Sequence, residues 1–447
     1  MAQSLYRKYF EIVPVNNITT FSVNSGVDQI SFLIPAVPGA TLNTRDLVFS
    51  GNLLINKDDG SAYAKADYDT IELAMDTVNG VHNMISRVDI TSMGSGNALI
   101  EQRRNYALIN KYRRGTLSEN DLVNGKYNNQ HLCSNNCAGV QNFLGRTSDA
   151  LAPEFAIQLN TGFLMDNIQN INLGAANGIM IKIYLSEVAN ALFNIDPSAS
   201  DADKLNGNFN IQIQNAKLFG RYNFVTSPLL QQLNQVQFRK INDLVSVAQS
   251  SNDTLADQPM VRSLHKIVHI FQPNSTTNNN VDANNTATNQ LVGLKQYQIS
   301  NNGTRHPYNY EIEISKPIQD LNAADGNQGR VAGNAEQCYL LISALNSQYP
   351  PVHSLVNAKN QADALLDQED DENNTTLNVN GIAVDYSYGF RGFSVPMVNN
   401  LLQLNVESAL LTTDPIVPTA VRDQTATHNA FIEFDSSLQY QGMAVSQ

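Results

Sequence analysis

The chain has 447 residues, with 28 Lys and Arg against 41 Asp and Glu, for a formal net charge of -13. That length exceeds one small sandwich and suffices for two domains of ordinary size. The acidic balance excludes wholesale coating of a phosphate backbone, and a charged fraction of only 15% leaves Asn, Gln, Ser and Thr to form an uncharged polar surface unlike that of an ordinary cytosolic enzyme.

Cysteine is sparse. Cys133, Cys137 and Cys338 do not make a disulfide framework, which fits folding in a reducing compartment. The opening MAQSLYRKYFEIVPV lacks the apolar stretch of a signal peptide. No run approaches the ~18 apolar residues of a membrane-crossing helix. The expectation is a soluble protein made in the cytoplasm of a cell.

Residues 1–24 read as an extended arm, with short strands at Tyr9–Val15 and Ile18–Val23. Ile30, Phe32 and Ile34 then alternate with polar neighbours, and Pro35 and Pro38 end that strand. Asp46–Asn56 is a longer strand with Gly51 near its middle, which predicts a bulge. Val81–Thr91 is another strand. Asn97–Arg113 reads as a helix, capped by Asn97 and free of Gly and Pro. With Arg114 it carries the chain's dense basic cluster, namely Arg103, Arg104, Lys111, Arg113 and Arg114. A solvated helix face accounts for such a run, and so does contact with a neighbouring subunit or an anionic layer.

Gly115–Gly145 is a polar loop. Strands resume at Phe155–Leu159, Ile168–Leu173 and Ile179–Leu185. Gly207 begins a strand with Phe209, Ile211 and Ile213 on one face and Asn210, Gln212 and Gln214 on the other, the mark of a half-buried antiparallel strand. Thr226-Ser227-Pro228 breaks the chain at its midpoint, and a short helical run, Leu229–Val236, follows. We read this break as a hinge between two similar β-domains: an arm at 1–24, a first domain at 25–226, a linker at 227–236 and a second domain at 237–447.

The second half repeats the rhythm. Strands are expected at Phe238–Ala248, Val261–Phe271, Leu294–Ser300, Tyr308–Ile314, Leu377–Val384, Tyr386–Val395, Leu401–Leu411 and Ala430–Tyr440. Ala335–Leu345 fits either a helix or a buried strand. Two long polar loops, Pro273–Gln290 and Asn357–Thr376, belong at the surface. IMIKIYLSE at Ile179 followed by FNIQIQ at Phe209 has a counterpart in LLQLNVES at Leu401 followed by FIEF at Phe431, about 220 residues later. That spacing fits two tandem eight-stranded sandwiches, since a jelly roll takes about eight short strands.

Reactive motifs are scarce. His131, Cys133 and Cys137 give H-x-C-x3-C, and zinc would need a fourth ligand such as His82 or Cys338. Ordinary loop thiols explain the pattern better. His265 and His269 lie on a strand-like run, where i and i+4 are ~13 Å apart and do not share a metal. The acidic run Asp367, Glu369, Asp370, Asp371 and Glu372 lacks the interleaved spacing of a calcium loop and reads as solvated. No nucleophile elbow, P-loop or dinucleotide fingerprint is present. The expectation is no catalytic residue, no cofactor and no metal.

GTLSENDLVNGKYNNQHLCSNNCAGVQNFLGR, followed by NTGFL and GIMIKIYL, resembles the major capsid proteins of adintoviruses and polinton-like viruses. The opening LYRKYFEIVPVNNITTFS, then DQISFLIP, and the later GTRHPYNYEI are similar in style. The resemblance implies an all-β double jelly roll with short helices and long surface loops. It also implies a pseudo-hexameric homotrimer that tiles an icosahedral shell around double-stranded DNA in the virion. Neighbouring capsomers, penton and minor capsid proteins are the implied partners, with Pro273–Gln290 and Asn357–Thr376 outside and Met1–Asn24 inside, where contact with an internal membrane or the genome stays open. A viral attachment or carbohydrate-binding β-sandwich and a β-sandwich glycosidase are the alternatives; paired carboxylates in a cleft would favour the last.

Overall fold

The structure is a computed structural model. It describes residues 6–57, 61, 73–75, 79–94, 97–115, 154–165, 170–173, 177–186, 192–194, 209–225, 235–249, 252–257, 264–274, 294–301, 304–306, 312–313, 315–317, 330–332, 381–385, 402–408, 425–441 and 444–446.

In the first half the strands are β1 (Tyr6–Ile12), β2 (Thr20–Phe21), β3 (Gln29–Ile34), β4 (Ala40–Lys57), β5 (Leu73–Met75), β6 (Ile85–Ser92), β7 (Leu99–Arg103), β8 (Glu154–Ile157), β9 (Ile179–Leu185), β10 (Leu192–Asn194) and β11 (Phe209–Phe224). Two helices, α1 (Tyr106–Gly115) and α2 (Gly162–Met165), and a 3-10 turn at Gly80–Met84 interrupt them. One sheet runs β1-β11-β4-β8, with β2 also on β11; the other runs β3-β9-β6-β7.

The second half contributes β12 (Gln235–Gln249), β13 (Asn252–Asp257), β14 (Leu264–Asn274), β15 (Leu294–Asn301), β16 (Thr304–His306), β17 (Ile312–Glu313), β18 (Ser315–Pro317), β19 (Arg330–Ala332), β20 (Gly381–Asp385), β21 (Leu402–Ser408), β22 (Thr425–Gln441) and β23 (Ala444–Ser446). Its sheets run β12-β22-β14-β20 and β13-β21-β15-β16.

Set side by side, the two halves have one topology. Take β1 with β2 as a single first strand, and set aside the short pair β5 and β10. The first half then reads 1-8-3-6 in one sheet and 2-7-4-5 in the other. The second half gives the same two orders from β12, β13, β14, β15, β16, β20, β21 and β22. This interleaving of early and late strands is the wiring of an eight-stranded jelly roll. The two similar segments noted in the sequence, at Ile179 and Leu401, are the seventh strands, and those at Phe209 and Phe431 lie in the eighth. The chain divides into two compact units, Met1–Lys111 with Asn120–Asn242 and Asp435–Gln447, and Tyr112–Glu119 with Asp243–Phe434.

Alternation builds the first roll. In β9, Ile179, Ile181 and Ile183 are fully buried while Met180, Lys182 and Tyr184 face outward, half-exposed. β3 does the same with Ile30, Phe32 and Ile34, and pairs Phe32 to Ile181. The two sheets meet through aromatic edges: Phe32 of one lies 5.9 Å from Phe49 of the other, and Phe49 lies 5.3 Å from Phe155. Each such side chain contributes about 1.5–3 kcal/mol by leaving water.

The Gly51 bulge is present, but its extra residue sits on the partner strand. Gln214 pairs with Asn52 and Lys217 with Ser50, so Asn215 and Ala216 together face Gly51. Asn215 adopts a left-handed φ of 52°, a conformation Asn tolerates better than most residues. Gly51 has no Cβ because one would sit 3.1 Å from Ile213 and 3.2 Å from the Gln214 carbonyl.

Several expectations change. The strand expected at Val81–Thr91 starts only at Ile85, after the 3-10 turn Gly80–Met84, and the helical run expected at Leu229–Val236 gives way to β12 at Gln235. The Asn97–Arg113 helix is instead strand β7 followed by α1, which begins only at Tyr106; Asn97 and Asn105 both take left-handed turns, with φ of 47° and 46°. Ile168–Leu173 is represented by a single bridge, Ile171 to Leu42. The segment expected as an arm carries β1, which pairs from Tyr6–Phe224 through Ile12–Leu218 with β11, and β2, which pairs Phe21 with Ile213. The hinge at Thr226–Asn234, the loop 116–145, Ala335–Leu345, Tyr386–Val395, and both long surface loops beyond Asn274 lie outside the described residues.

β1 is held by its aromatic side chains. Tyr6 stacks on Phe224 with ring centroids 4.0 Å apart, and Phe10 lies 4.5 Å from Tyr222. Phe10 sits opposite Gly220, which leaves room for its ring; a Cβ at Gly220 would run into that ring and lie 2.8 Å from Leu47 Cδ2. Gly220→Ala is therefore expected to destabilise the first roll by about 1–3 kcal/mol. A drop in urea midpoint, with Phe10→Leu relieving part of it, is the result that checks this.

Candidate functional site: a sealed polar cluster and an open strand edge

The densest chemistry among the described residues lies at β7, the edge of the second sheet. A register shift between Ile90 and Thr91 leaves Ile100 without a partner. Beyond it Glu101 pairs with Ile90 and Arg103 with Val88, two fully buried core positions. The bulge thus turns a carboxylate and a guanidinium toward the interior, where both are essentially inaccessible.

Their partners explain how this is tolerated. Glu101 accepts hydrogen bonds from the Gly162 amide (3.0 Å, Oε1) and the Phe163 amide (2.7 Å, Oε2) at the start of α2. These are charge-assisted bonds to donors that a helix leaves unsatisfied. Thr161 caps the same turn, its Oγ1 accepting from the Leu164 amide at 3.2 Å. Arg103 lies 3.7 Å from Glu101 and donates to the Asn160 carbonyl at 2.6 Å.

From Asn160 the network runs on through α1. Its amide N–H donates to Tyr106 Oη (3.0 Å), which also meets His82 Nδ1 at 2.9 Å. Its side chain donates to Asn110 (2.9 Å), Asn110 to Asn79 (2.5 Å), and Asn79 to Asn83 (2.5 Å) and the Ala107 carbonyl (2.9 Å). Such a connected set fixes one arrangement of the elements it joins, because each member left alone would be a buried unsatisfied group. Most of its groups are spent on one another and on the backbone; Arg103 Nε and Nη2 are buried without a hydrogen bond.

Phe238 of β12 packs edge-on against Phe163 at 5.2 Å, and Lys240 follows it. Burial pushes the Lys240 ammonium below its ordinary pKa, against the opposing pull of Glu101. Elsewhere, burial raises the Tyr222 phenol to about 12; its hydroxyl donates to the Pro35 carbonyl at 2.8 Å. Burial opposes the charge on Arg87, but Asp89, at 2.7 Å, and Tyr184, whose ring centre lies 4.0 Å from the guanidinium, outweigh it and raise the pKa.

The residues singled out from the sequence do not come together here. His82 is buried against Tyr106. His131, Cys133, Cys137, Cys338 and the acidic run lie outside the described residues. His265 and His269 are in β14, with His269 opposite Ala430 and Ile382. Arg103 is inside and Arg104 outside, bonded to Gln102, so the basic run is not one helix face. Among the described residues no group of three or more His, Cys, Asp and Glu side chains is gathered as a metal would need. Sequence reading missed Glu101, Tyr106 and Asn160, whose roles depend on partners tens of residues away.

The second feature is open. β1 ends its sheet, and it and the residues just after it hold four of the five exposed large apolar side chains among the described residues: Tyr6 (57%), Tyr9 (72%), Val13 (53%) and Val15 (47%). Arg7 and Lys8 lie exposed among them.

No protein-family model matches this chain, and no curated protein sequence does. Solved structures do. The PBCV-1 virus capsid is similar with a TM-score of 0.59 at 10% identity, over 100% of this chain and 97% of that one. The Sputnik virophage structure gives 0.57 at 10%, over 100% and 89%. The Faustovirus major capsid protein gives 0.55 at 11%, over 99% and 91%.

Two tests follow from the cluster. Glu101→Gln leaves Arg103 and Lys240 without a buried counter-charge and turns an amide NH2 toward a backbone N–H; a loss of about 3 kcal/mol or more is expected in urea unfolding. Lys240 is more easily deprotonated folded than unfolded, so its penalty is complete below the folded pKa and disappears as pH rises toward 10.5. Lys240→Met should therefore match or exceed the parent at neutral pH, and the parent should regain ground by about pH 10. A stability difference that does not change with pH would refute the assignment.

The shared strand order of the two halves and the end-to-end likeness to these structures establish the fold of this chain as an all-β double jelly roll.

Proposed function

We propose that this chain is a structural major capsid protein, an assembly subunit with no catalytic role. It forms pseudo-hexameric homotrimers that tile an icosahedral shell around double-stranded DNA. The observation that carries the reading is the likeness, over both rolls, to a virus capsid and a major capsid protein. The sequence phrases similar to adintovirus and polinton-like capsid proteins support the same conclusion.

On this reading the chain's partners are two further copies of itself, neighbouring capsomers, and penton and minor capsid proteins. It is made in the host cytoplasm and ends in the virion. The domain division proposed is a first roll at 25–226, completed by the strands β1 and β2 of the segment 1–24, a linker at 227–236 whose last two residues begin β12, and a second roll at 237–447. Composition supports assembly: Asn, Gln and Thr side chains hydrogen-bond across a wet interface rim without the salt sensitivity of ion pairs. A trimer of this kind should bury well over ~2,000 Å² in total.

Light scattering coupled to size exclusion tests the reading. A species of about three times 49.1 kDa that survives dilution is expected, with pseudo-hexagonal outlines in electron micrographs. A monomer at all concentrations that yields no particles would overturn it.

A further inference from the structure

One reactive dipeptide occurs in two opposite settings among the described residues. Asn-Gly stands at Asn79-Gly80 and again at Asn177-Gly178. In this pair the asparagine carboxamide can meet the next backbone nitrogen, and glycine puts no side chain in the way. Asn79 is wholly buried. Its Nδ2 donates to Asn83 Oδ1 at 2.5 Å and to the Ala107 carbonyl at 2.9 Å, and its Oδ1 accepts from Asn110 at 2.5 Å. That carboxamide is fixed on every side.

Asn177 is its opposite. It lies exposed in a turn just ahead of β9, and among the described residues no hydrogen bond holds its side chain. Its φ of 53° and the 96° of Gly178 are both left-handed, which Asn and Gly tolerate best. The Gly178 amide donates to the Leu173 carbonyl at 3.2 Å, the long end of the hydrogen-bond range, so its nitrogen is lightly held.

We propose that Asn177-Gly178 is a site of spontaneous covalent modification in the folded chain, where Asn79-Gly80 is protected. The Gly178 nitrogen attacks Asn177 Cγ; the Cγ–Nδ2 bond breaks, and ammonia leaves with the proton that the nitrogen gives up, closing a succinimide. Water then opens the ring at Cγ, giving aspartate, or at the Asn177 main-chain carbonyl, giving isoaspartate with the main chain rerouted through Cβ and Cγ. Either product adds a negative charge, and isoaspartate also lengthens the main chain by one carbon. That atom enters where there is no slack. A Cβ on Gly178 would lie 2.6 Å from the Ile34 carbonyl, and the Gly178 carbonyl accepts from the Met93 amide at 3.0 Å. The next residue, Ile179, is fully buried and pairs with Ile34 of β3 and Ser92 of β6. Isoaspartate at 177 therefore loosens the entry to a strand paired on both edges, a slow clock that weakens the first roll. The chemistry is independent of the capsid reading.

The test holds the full chain, folded and separately in concentrated urea, at neutral and mildly alkaline pH, and follows both sites by peptide mass mapping. An isoaspartyl-specific methyltransferase distinguishes the two products. In the folded chain conversion is expected to be about tenfold or more faster at Asn177 than at Asn79, which reacts only through local opening. It should rise with pH, because the attacking nitrogen must lose its proton. In urea the two sites should react at similar rates. A folded chain in which Asn177 keeps its amide, or reacts no faster than Asn79, overturns the assignment, as does a difference that persists in urea. The aged parent should also unfold at lower urea than the fresh one. Asn177→Gly, which suits the left-handed turn and cannot react, should lose less on ageing; an equal loss in that variant assigns the weakening to other positions and overturns the clock.

Discussion

The β11–β4 ladder is the constraint on which the first roll depends. β11 accepts β1 and β2 on one side and β4 on the other, so the last strand of the roll organises the first and third. The pairings span much of the roll's sequence: Ser22 Oγ donates to Asn210 at 2.7 Å across 188 positions. Chain closure of that reach must be completed before the contacts reward it, which makes such topologies slow to form. β11 also has to satisfy two geometries in 16 residues. Before the bulge its buried apolar residues are odd-numbered, Ile211 and Ile213; after it they are even-numbered, Ala216, Leu218 and Tyr222. A left-handed Asn215 opposite a glycine makes that switch, and without it half of the strand's apolar side chains would face water.

This explains which parts of the structure could be read from the sequence. β3 and β9 alternate without interruption; β3 ends at Ile34, before Pro35 as expected, and β9 has the expected bounds, Ile179–Leu185. Gly51 announced a bulge, but the inserted residue belongs to a strand more than 150 positions away, and nothing local to Gly51 encodes that. The Leu99–Arg103 strand was obscured for a different reason. Its buried face presents Glu101 and Arg103, so the apolar-polar rule assigns the wrong face and the run looks like the start of a charged helix. Only the amides of α2 and the carbonyl of Asn160 make those charges acceptable inside, and both arrive from about 60 residues downstream.

The doubling of the fold was visible for a related reason. A jelly roll demands parity along each strand and turns at the right intervals, and it makes few demands on side-chain identity. Two halves can therefore share strand orders 1-8-3-6 and 2-7-4-5 while sharing almost no residues. The similarity that survives is in the seventh and eighth strands, where IMIKIYL and LQLNVES, and then FNIQIQ and FIEF, keep the period of two. These strands are central in their sheets, paired on both edges, so tolerance for a change of pattern is least there.

The second roll places a carboxylate inward as well. Phe431 and Glu433 are both buried, two apart on one face of β22. The register sets Glu433 opposite Lys266 of β14, which in turn lies opposite Asp385 of β20, making one row across three strands. In each roll, then, acidic residues occupy positions where a simple sandwich would have aliphatic ones. An ion pair held inside, as Glu101 with Arg103 is, adds little net stability compared with apolar residues of similar size. What they provide is discrimination: a strand slipped by one residue would bury a carboxylate without its partner, and that error costs far more than a misplaced leucine. For a chain whose two rolls share one wiring, and whose strands could pair with those of the wrong half or of another copy, such penalties separate the native pairing from its near-equivalents.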